Sequence, residues 1–293
     1  MEPCKICNAQ DQTVAYEGPV RSGTYGKTTH GIVYRCSTCG VEYLPTTIGN
    51  LETYYKGGAY RDDVGESSDI TNYYKLHDAE QLGKYALLEE IALRGQTIAD
   101  IGCAGGSFLD GLCGFTSNTI GIEPSVSYHD SLKARGHLVY ADISAALPEW
   151  RGRVNIVTCF SVIEHVEDPV TFLQEIRELL ADGGVILLST PNREDLLLSL
   201  NVEAYKRFFY RTAHIYYFNQ ESLKRAAHLA GFQGAVTKYV QRFNFANFLG
   251  WLQEDAPVGN KRATVLGSSF DHMWHAQLEA SGVADYLYAY LRT

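Results

Sequence analysis

The stretch that decides the fold is Thr97-Ile98-Ala99-Asp100-Ile101-Gly102-Cys103-Ala104-Gly105-Gly106-Ser107-Phe108. Its first five residues predict a buried β-strand, its glycines predict a tight turn, and its last residues begin a predicted helix. A glycine-rich turn between a strand and a helix lets the backbone approach a nucleotide closely. Asp100 stands at the end of the strand, where a carboxylate repels the pyrophosphate of a dinucleotide and holds a cationic group. The sequence therefore favours a cofactor with an ammonium or sulfonium group over NAD, whose G-x-G-x-x-G pattern this turn does not match.

Strand and helix signals alternate along the chain on both sides of this turn. Short runs rich in β-branched and apolar residues predict strands at residues 97–101, 118–122, 138–140, 154–159, 185–189, 235–241 and 285–291. Helical spacing of apolar residues predicts helices at residues 76–93, 108–113, 125–135, 169–180 and 220–230. Such alternation is typical of a parallel sheet with helices on both faces. The sequence therefore predicts a Rossmann-like α/β fold.

The strand end and the turn resemble the first motif, D-x-G-x-G-x-G, of the class I methyltransferases that depend on S-adenosylmethionine (SAM). The motif falls on Asp100, Gly102, Ala104 and Gly106, with alanine in place of the middle glycine. The resemblance implies a seven-stranded methyltransferase sheet with helices on both faces, methyl transfer as the reaction, and SAM as the cofactor.

Two further acidic residues extend this resemblance along the chain. Glu123, which precedes Pro124, ends the second strand and is the carboxylate that the family uses for the ribose hydroxyls. Asp142 follows the third strand and corresponds to the acid that meets the adenine amino group. We also expect Pro124, Phe160 and Ser161 at the cofactor, and the resemblance covers residues 96–233. Three carboxylates at three successive strand ends are difficult to obtain by chance.

Four cysteines near the start of the sequence form two pairs with zinc-knuckle spacing. They are Cys4-x-x-Cys7 and Cys36-x-x-Cys39. Zinc binding by such sets contributes on the order of 10–16 kcal/mol, enough to fold a segment with little core of its own. We predict a structural zinc ribbon with a long β-hairpin between the pairs, and no catalytic role, because four thiolates leave no open position for substrate. The alternative is a redox or regulatory set of thiols. The remaining cysteines are expected to be buried thiols: Cys103, Cys113 and Cys159.

The overall charge limits the classes of partner. The chain has 293 residues, with 34 acidic against 25 basic side chains and a net charge of −9. Because phosphate backbones reward a basic face, generic nucleic-acid binding is disfavoured. No run approaches the roughly 18 apolar residues of a membrane span, and residues 1–20 lack the pattern of a signal peptide. We therefore expect a cytoplasmic enzyme with a small-molecule substrate.

Two histidines are candidates for the base that deprotonates the methyl acceptor, since methyl transfer requires an aligned nucleophile that loses a proton. In sugar C-methyltransferases with a similar zinc module, a histidine before an aromatic stretch is the base, and His214 matches it, although Ala213 replaces the usual glutamate. In quinone-biosynthesis O-methyltransferases, a segment similar to Glu164-His165 holds a divalent metal through two carboxylates and this histidine, and Ser161 replaces the first carboxylate. The structural alternatives are helix capping by Glu164 and His165, and substrate contact or loop packing by His214.

The substrate signal lies in residues 193–262, where basic side chains outnumber acidic ones. A basic cap over an acidic cofactor site suits a phosphorylated small substrate, whereas the alternative is a solvated helix face. The cations nearest the expected pocket rim are Arg193, Lys206, Arg207 and Arg211. The other basic residues of this segment are Lys224, Arg225, Lys238, Arg242, Lys261 and Arg262. Aromatic residues at 243–248, with Trp251, could line an acceptor pocket or pack against the sheet.

We therefore predict three regions: a zinc-ribbon module at residues 1–45, a Tyr/Gly-rich lid and lead-in helix at 46–95, and a methyltransferase domain at 96–293 with a cap near 193–275. The zinc-ribbon front end directs the resemblance toward enzymes that methylate nucleotide-linked sugars and other glycan precursors. The alternatives are a quinone- or phenol-type O-methyltransferase and a zinc-ribbon RNA methyltransferase. A binding module built on a silent methyltransferase fold is disfavoured, because the cofactor carboxylates are present.

Overall fold

The computed structural model describes residues 3–24, 26–45, 51–57, 60, 70–260 and 266–293. The strands are β1 Gln12–Arg21, β2 Thr28–Cys36, β3 Glu42–Tyr43, β4 Thr97–Ile101, β5 Asn118–Ile122, β6 Leu138–Tyr140, β7 Val154–Phe160, β8 Leu180–Pro191, β9 Tyr216–Tyr217, β10 Gly234–Val240 and β11 Tyr286–Arg292. The α-helices are Leu51–Lys56, Ile70–His77, Gln81–Ala86, Ser107–Asp110, His129–Ala134, Ile143–Trp150, Pro169–Leu179, Leu196–Ser199, Glu203–Phe209, Gln220–Leu229, Phe245–Gln253 and Ser268–Ala280. Single 3₁₀ turns lie at Asp78–Glu80, Val126–Tyr128 and Ile163–His165. Over the described ranges, no helix has the length and apolar character needed to cross a membrane.

The predicted α/β architecture is confirmed by a seven-stranded sheet in the order β10-β11-β8-β7-β4-β5-β6. Strands β4 to β8 run parallel to their neighbours in this set, and β11 lies antiparallel between β8 and β10. Every residue of β4 is buried, as expected for a central parallel strand with helices on both faces. Successive side chains along these strands enter different apolar clusters: Ile98 and Ile156 pack on one face of the sheet, while Ala99 and Val157 pack on the other.

Local signals explain where several helices begin. The carboxylate of Asp168 accepts hydrogen bonds from the backbone N–H groups of Val170 and Thr171, both at 3.0 Å, and Pro169 occupies the first helical turn. Asn219 and Ser222 form a reciprocal capping box at the next long helix. These caps fix the first residues of both helices.

The lead-in region differs from the single helix predicted at residues 76–93. It consists of Ile70–His77, the turn Asp78–Glu80 and Gln81–Ala86, and it ends well before Gly95. Leu87 and Leu88 are buried where the helix stops. The burial of these two side chains in the core overrides the helical spacing on which the prediction rested.

A four-stranded antiparallel sheet, in the order β1-β2-β3-β9, covers the amino-terminal region. The stretch between the two cysteine pairs forms the β1–β2 hairpin, as predicted. The fourth strand, β9, comes from residues beyond the main parallel strands and pairs with β3. Glu42 reinforces this junction, because its buried carboxylate accepts hydrogen bonds from Arg35 and from the hydroxyl of Tyr210. The amino-terminal sheet is thus completed by the predicted cap, while the three region boundaries stay a prediction.

A third apolar cluster joins this small sheet to the cap helices. Tyr16 and Val20 of the hairpin pack with Tyr217 and with Trp251. Within residues 193–275, strand β10 pairs into the seven-stranded sheet, and helix Gln220–Leu229 packs against it. The cavity described below lies at this cluster.

Candidate functional site

Asp100 lies in the centre of the main sheet, close to the carboxyl ends of the parallel strands. Its buried carboxylate accepts a 2.7 Å hydrogen bond from the hydroxyl of Thr158 on the adjacent strand. Burial raises the pKa of Asp100 to about 6, although the hydrogen bond from Thr158 and the positive charge of Lys84 lower it. A buried carboxylate with one side-chain donor is well suited to receive an ammonium group.

The glycine-rich turn is fixed by close contacts. Gly102 has a left-handed φ of +74°, and a Cβ there would lie 2.6 Å from Val162. Gly106 has a φ of +83°, and a Cβ there would lie 2.3 Å from Leu132. Glycine is therefore required at this position for helix His129–Ala134 to pack against the turn. Ala104 has a φ of +47°, a conformation that costs a residue with a side chain roughly 1–2 kcal/mol. The alanine that departs from the family motif therefore occupies a strained left-handed position.

Glu123 fastens this turn to the end of the second parallel strand. One carboxylate oxygen accepts from the backbone N–H of Ala104 at 2.8 Å, and the other accepts from Ser125, just beyond Pro124, at 2.9 Å. Asp142 caps helix Ile143–Trp150 through a single oxygen, which accepts from Ala145 at 2.9 Å. The three predicted carboxylates thus all lie at the carboxyl edge of the sheet, where α/β proteins bind nucleotides.

The remaining predicted cofactor residues line the same edge. The ring of Phe160 stands edge-on to Phe108, with centroids 5.1 Å apart, and the ammonium group of Lys84 lies 5.0 Å from the Phe160 centroid. Ser161 adopts a φ of +56°, and its hydroxyl lies 2.7 Å from the hydroxyl of Tyr286. Lys84 was not anticipated, because nothing in the sequence indicates which upstream helix packs beside Asp100.

Parts of the predicted lid cover the site. Tyr74 donates a hydrogen bond to the carbonyl of Gly105 at 3.2 Å, and the ring of Tyr73 lies so close that a Cβ on Gly105 would approach it to 2.5 Å. On the other side, the hydroxyl of Tyr55 lies 2.9 Å from Nδ1 of His165. Residues 46–50, 58–59 and 61–69 of the predicted lid lie outside the described residues.

The three catalytic candidates come together in the structure. Ligand atoms of Glu164, His165 and His214 all lie within 4.8 Å of one another, and the two imidazole rings are 4.7 Å apart at a right angle. Nδ1 of His165 lies 2.7 Å from the carbonyl oxygen of Ala213. Because a carbonyl only accepts, Nδ1 donates its proton in this contact, and Nε2 presents a lone pair when the ring is neutral.

Burial controls the protonation of this cluster. Neither oxygen of the Glu164 carboxylate has a hydrogen-bond partner among the described residues, and Nδ1 of His214 is also without one. Burial raises the pKa of Glu164 to about 7. Burial, followed by the charges of Arg211 and His165, lowers the pKa of His214 well below its ordinary value. The site therefore holds a neutral imidazole beside a carboxyl group that titrates near neutral pH.

A cavity of about 220 Å³ opens next to His214. Of the four cations predicted at the rim, only Arg211 lines it. Arg193 instead pairs with Glu42 and Glu194, Lys206 pairs with Glu203, and Arg207 is exposed, so these three predictions were wrong. Lys261 and Arg262 lie outside the described residues. Proximity in sequence failed here because Arg193 and Lys206 form ion pairs in the folded chain, while Arg207 points to solvent.

The cavity wall contains residues that the sequence analysis did not place together. Arg21 reaches it from the amino-terminal hairpin, and Arg242 reaches it from beyond β10. Phe243, Phe248 and Trp251 also line it, which favours the acceptor-pocket interpretation of the aromatic segment. The position of Arg21 had no sequence signal, because its neighbour Arg211 is far away along the chain.

The four amino-terminal cysteines converge as a metal-ligating set. Their sulfur atoms all lie within 4.8 Å of one another, with 3.6 Å between those of Cys4 and Cys39 and 3.5 Å between those of Cys7 and Cys36. Zn–S bonds of about 2.3 Å in a tetrahedron give sulfur separations of roughly 3.8 Å, whereas a disulfide requires about 2 Å. The donor set therefore fits zinc and does not fit a disulfide.

The other cysteines divide differently from expectation. Cys103 and Cys159 are buried, as predicted, but Cys113 is exposed and the prediction for it was wrong. Cys113 follows the short helix Ser107–Asp110, and its thiol donates to the carbonyl of Asp110 at 3.1 Å. The helix ends at Asp110, so Cys113 does not lie on the buried face that a helix over residues 108–113 would have had.

Comparison with known sequences identifies the large domain. A family model described as a methyltransferase domain matches residues 74–237. The ubiquinone biosynthesis O-methyltransferase of Pseudomonas paraeruginosa is 29% identical over 130 residues, which cover 42% of this chain and 56% of that protein. The tRNA U34 carboxymethyltransferase of Campylobacter concisus is 26% identical over 148 residues, covering 48% of each. The chain thus spans about half the length of the curated relatives it matches.

Solved structures share the fold at low sequence identity. A SAM-dependent methyltransferase from Archaeoglobus fulgidus superimposes with a TM-score of 0.52 and 15% identity, covering 80% of this chain and 98% of that one. A SAM-dependent methyltransferase from Thermotoga maritima gives a TM-score of 0.51 and 18% identity, covering 76% and 94%. Both are similar to this chain in the arrangement of the main sheet and its helices.

Proposed function

Because this chain belongs to the methyltransferase-domain family and is a class I SAM-dependent methyltransferase, we propose that it methylates a hydroxyl or an activated carbon of a small anionic metabolite. The substrate class proposed is a nucleotide-linked sugar or another glycan precursor. The observation that carries this proposal is the cavity beside His214, because it combines three arginines with aromatic walls. Such walls suit a sugar or base ring, and arginines suit its anionic group.

Four side chains are proposed to hold SAM, which supplies an electrophilic methyl group when bound. Asp100 would receive the ammonium group of the methionine end, and the nearby Lys84 would pair with its carboxylate. Glu123 would accept from the ribose hydroxyls, and Asp142 has a second oxygen that its helix-capping bonds do not use. Support for this assignment comes from the chemistry of the donors and from their common position at the carboxyl edge.

His214 is proposed as the base that accepts the acceptor's proton. Its lowered pKa keeps the imidazole unprotonated at neutral pH, so it is ready to accept a proton. Glu164 lies within 4.8 Å and would stabilise the imidazolium that forms, which compensates for the alanine at position 213. His165, oriented by the carbonyl of Ala213, would complete the polar wall.

The zinc ribbon is proposed to be structural. All four positions of a tetrahedral ion would be filled by Cys4, Cys7, Cys36 and Cys39, leaving none for substrate. The ribbon would hold hairpin β1–β2 in place, and with it Arg21 at the cavity.

A labelling experiment tests the proposed function. The protein would be incubated with deuteriomethyl-labelled SAM and separate pools of nucleotide sugars, sugar phosphates, catechols and tRNA, and the products analysed by mass spectrometry. We expect label in a sugar-containing anion. Label confined to catechols or to tRNA would contradict the proposed substrate class.

One observation favours a metal-dependent phenol-type O-methyltransferase as the second candidate. Glu164, His165 and His214 could together hold a divalent cation, with His165 already supported through its second ring nitrogen. Ser161 would not take part, because its hydroxyl contacts Tyr286. Methylation of catechols that occurs only when Mg²⁺ is added would support this candidate against the first.

A further inference from the structure

Arg21 and Arg211 approach each other across the boundary between the amino-terminal sheet and the cap. Their backbones form a parallel bridge, in which Arg21 N–H donates to the carbonyl of Tyr210 at 2.8 Å and Thr212 N–H donates to the carbonyl of Arg21 at 2.9 Å. Bridged residues in parallel register project their side chains to the same side. Both side chains line the cavity that also contains His214.

The positive charges of this pair are uncompensated in the part of the chain that the structure describes. Neither guanidinium lies within ion-pair distance of a described carboxylate, whereas Arg242 pairs with Asp285 at 2.7 Å. Nε of Arg21 is buried without a hydrogen-bond partner, and the guanidinium carbon lies 4.2 Å from the centroid of Phe208. Burial, together with the neighbouring charge of Arg211, lowers the pKa of Arg21 to about 10. Both arginines are half-buried, and two like charges at the edge of a cavity favour an anion beside them.

The acids in the cavity wall are already occupied. Asp195 accepts from the hydroxyl of Tyr205 at 2.9 Å and from the backbone N–H of Leu197 at 2.6 Å. Burial, with a further contribution from Asp285, raises the pKa of Asp195 to about 7, which reduces its negative charge near neutral pH. Glu164 lies close enough for the charge of Arg211 to lower its pKa, but no described carboxylate is within ion-pair distance of either arginine, so the pair can receive an anionic group of a ligand.

We propose that Arg21 and Arg211 form the subsite that binds a phosphate group of the methyl acceptor. The inference rests on the proposed function, since it assigns the anionic part of the same substrate. Two guanidinium groups offer planar, paired donors that match phosphate oxygens. The reactive part of the acceptor lies toward His214, and the phosphate lies toward the amino-terminal hairpin. The zinc-ribbon module thus contributes a substrate-binding residue to the methyltransferase site.

The test uses inorganic pyrophosphate as the probe and titration calorimetry as the measurement, so it does not depend on turnover. Arg21→Gln and Arg211→Gln should each weaken pyrophosphate binding about tenfold or more, as expected for loss of a charged hydrogen-bonding pair. Arg21→Lys should retain part of the affinity, because it keeps the charge without the planar fork. Arg153→Gln is the matched control, since Arg153 is exposed and precedes β7 at the opposite edge of the sheet. SAM affinity should stay within about twofold in every variant, which reports an intact fold.

Failure of the inference is distinguishable from failure of the proposed function. Absence of pyrophosphate binding to the unsubstituted 293-residue chain, or equal weakening in the Arg153→Gln control, would overturn the phosphate subsite. Binding of malonate at these arginines without binding of pyrophosphate would assign the pair to a carboxylate and overturn it as well. If pyrophosphate binds through both arginines while no sugar-containing anion is methylated, the subsite stands and only the sugar assignment is lost.

Discussion

Replacement of Glu164 by glutamine should make the protein more stable above neutral pH and less active. The carboxylate is fully buried, and neither of its oxygens has a hydrogen-bond partner among the described residues. Its pKa is raised from the ordinary 4.5 to about 7. The folded state therefore binds this proton more tightly than the unfolded chain, and ionisation opposes folding.

The size of the effect follows from this change in proton affinity. Each tenfold change in proton affinity corresponds to about 1.4 kcal/mol. The ionised carboxylate therefore lowers the free energy of unfolding by roughly 3 kcal/mol at pH 8. The penalty is largely absent below the unfolded pKa of 4.5, grows between pH 4.5 and 7, and is fully present above pH 7. Glutamine carries no charge, so the variant does not have this ionisation penalty. The variant should thus gain about 3 kcal/mol at pH 8 and less than about 1 kcal/mol at pH 5.

Urea denaturation followed by circular dichroism at both pH values measures this difference. No divalent ions should be added to the buffers, and the zinc that the protein carries should be left in place. Any pH-independent effect of the amide, such as a new hydrogen bond, cancels when the two pH values are compared. Glu90→Gln is the control, because Glu90 is exposed and its replacement should change stability little at either pH.

The activity of the same variant tests the proposed role of Glu164 as a positioning residue. Loss of its charge beside His214 should lower kcat about tenfold or more, with the KM for SAM nearly unchanged. Equal stabilisation at pH 5 and pH 8 would refute the burial argument. An unaltered kcat would remove Glu164 from the proton-transfer arrangement.

Four further substitutions test the rest of the site. Asp100→Ala and Glu123→Ala should abolish SAM binding in calorimetry while the circular dichroism spectrum is retained, and unchanged affinity in both would contradict the cofactor assignment. His214→Ala should lower turnover by about 10²–10⁴ with SAM affinity preserved, and full activity would exclude it as the base. Protein purified without chelator should contain one zinc per chain by elemental analysis, and Cys36→Ser should lose it and accelerate hydrogen exchange in the amino-terminal hairpin. A wild-type chain without stoichiometric zinc would show that the ribbon assignment fails.

Much of the fold could be predicted from local patterns. The buried run that ends at Asp100 and the glycines that follow it can form little else than a strand, a turn and a helix start. The long lead-in helix was predicted wrongly because Leu87 and Leu88 are claimed by the core. Periodicity describes which residues could share a helix face, whereas the packing of distant elements decides where that helix ends.

The candidate site divides in a similar way. The residues of the cofactor edge are near one another in sequence or follow successive strands, so their convergence follows from the parallel topology alone. The acceptor cavity is lined by Arg21, Arg211 and Arg242 among other residues, and tertiary contacts alone bring these three to one cavity. Separation along the sequence therefore does not predict which residues line this cavity.

The amino-acid sequence by itself indicated the parallel sheet, the glycine turn with its carboxylates, and the paired cysteines, because the signal for each lies in residues a few positions apart. Only the tertiary structure decided which charges remain available for a substrate. Arg193 is neutralised by the buried Glu42, while Arg21 and Arg211 have no carboxylate partner among the described residues. The physical reason is that an ion pair forms at about 4 Å or less through space, and that distance is set by the packing of elements far apart in the chain.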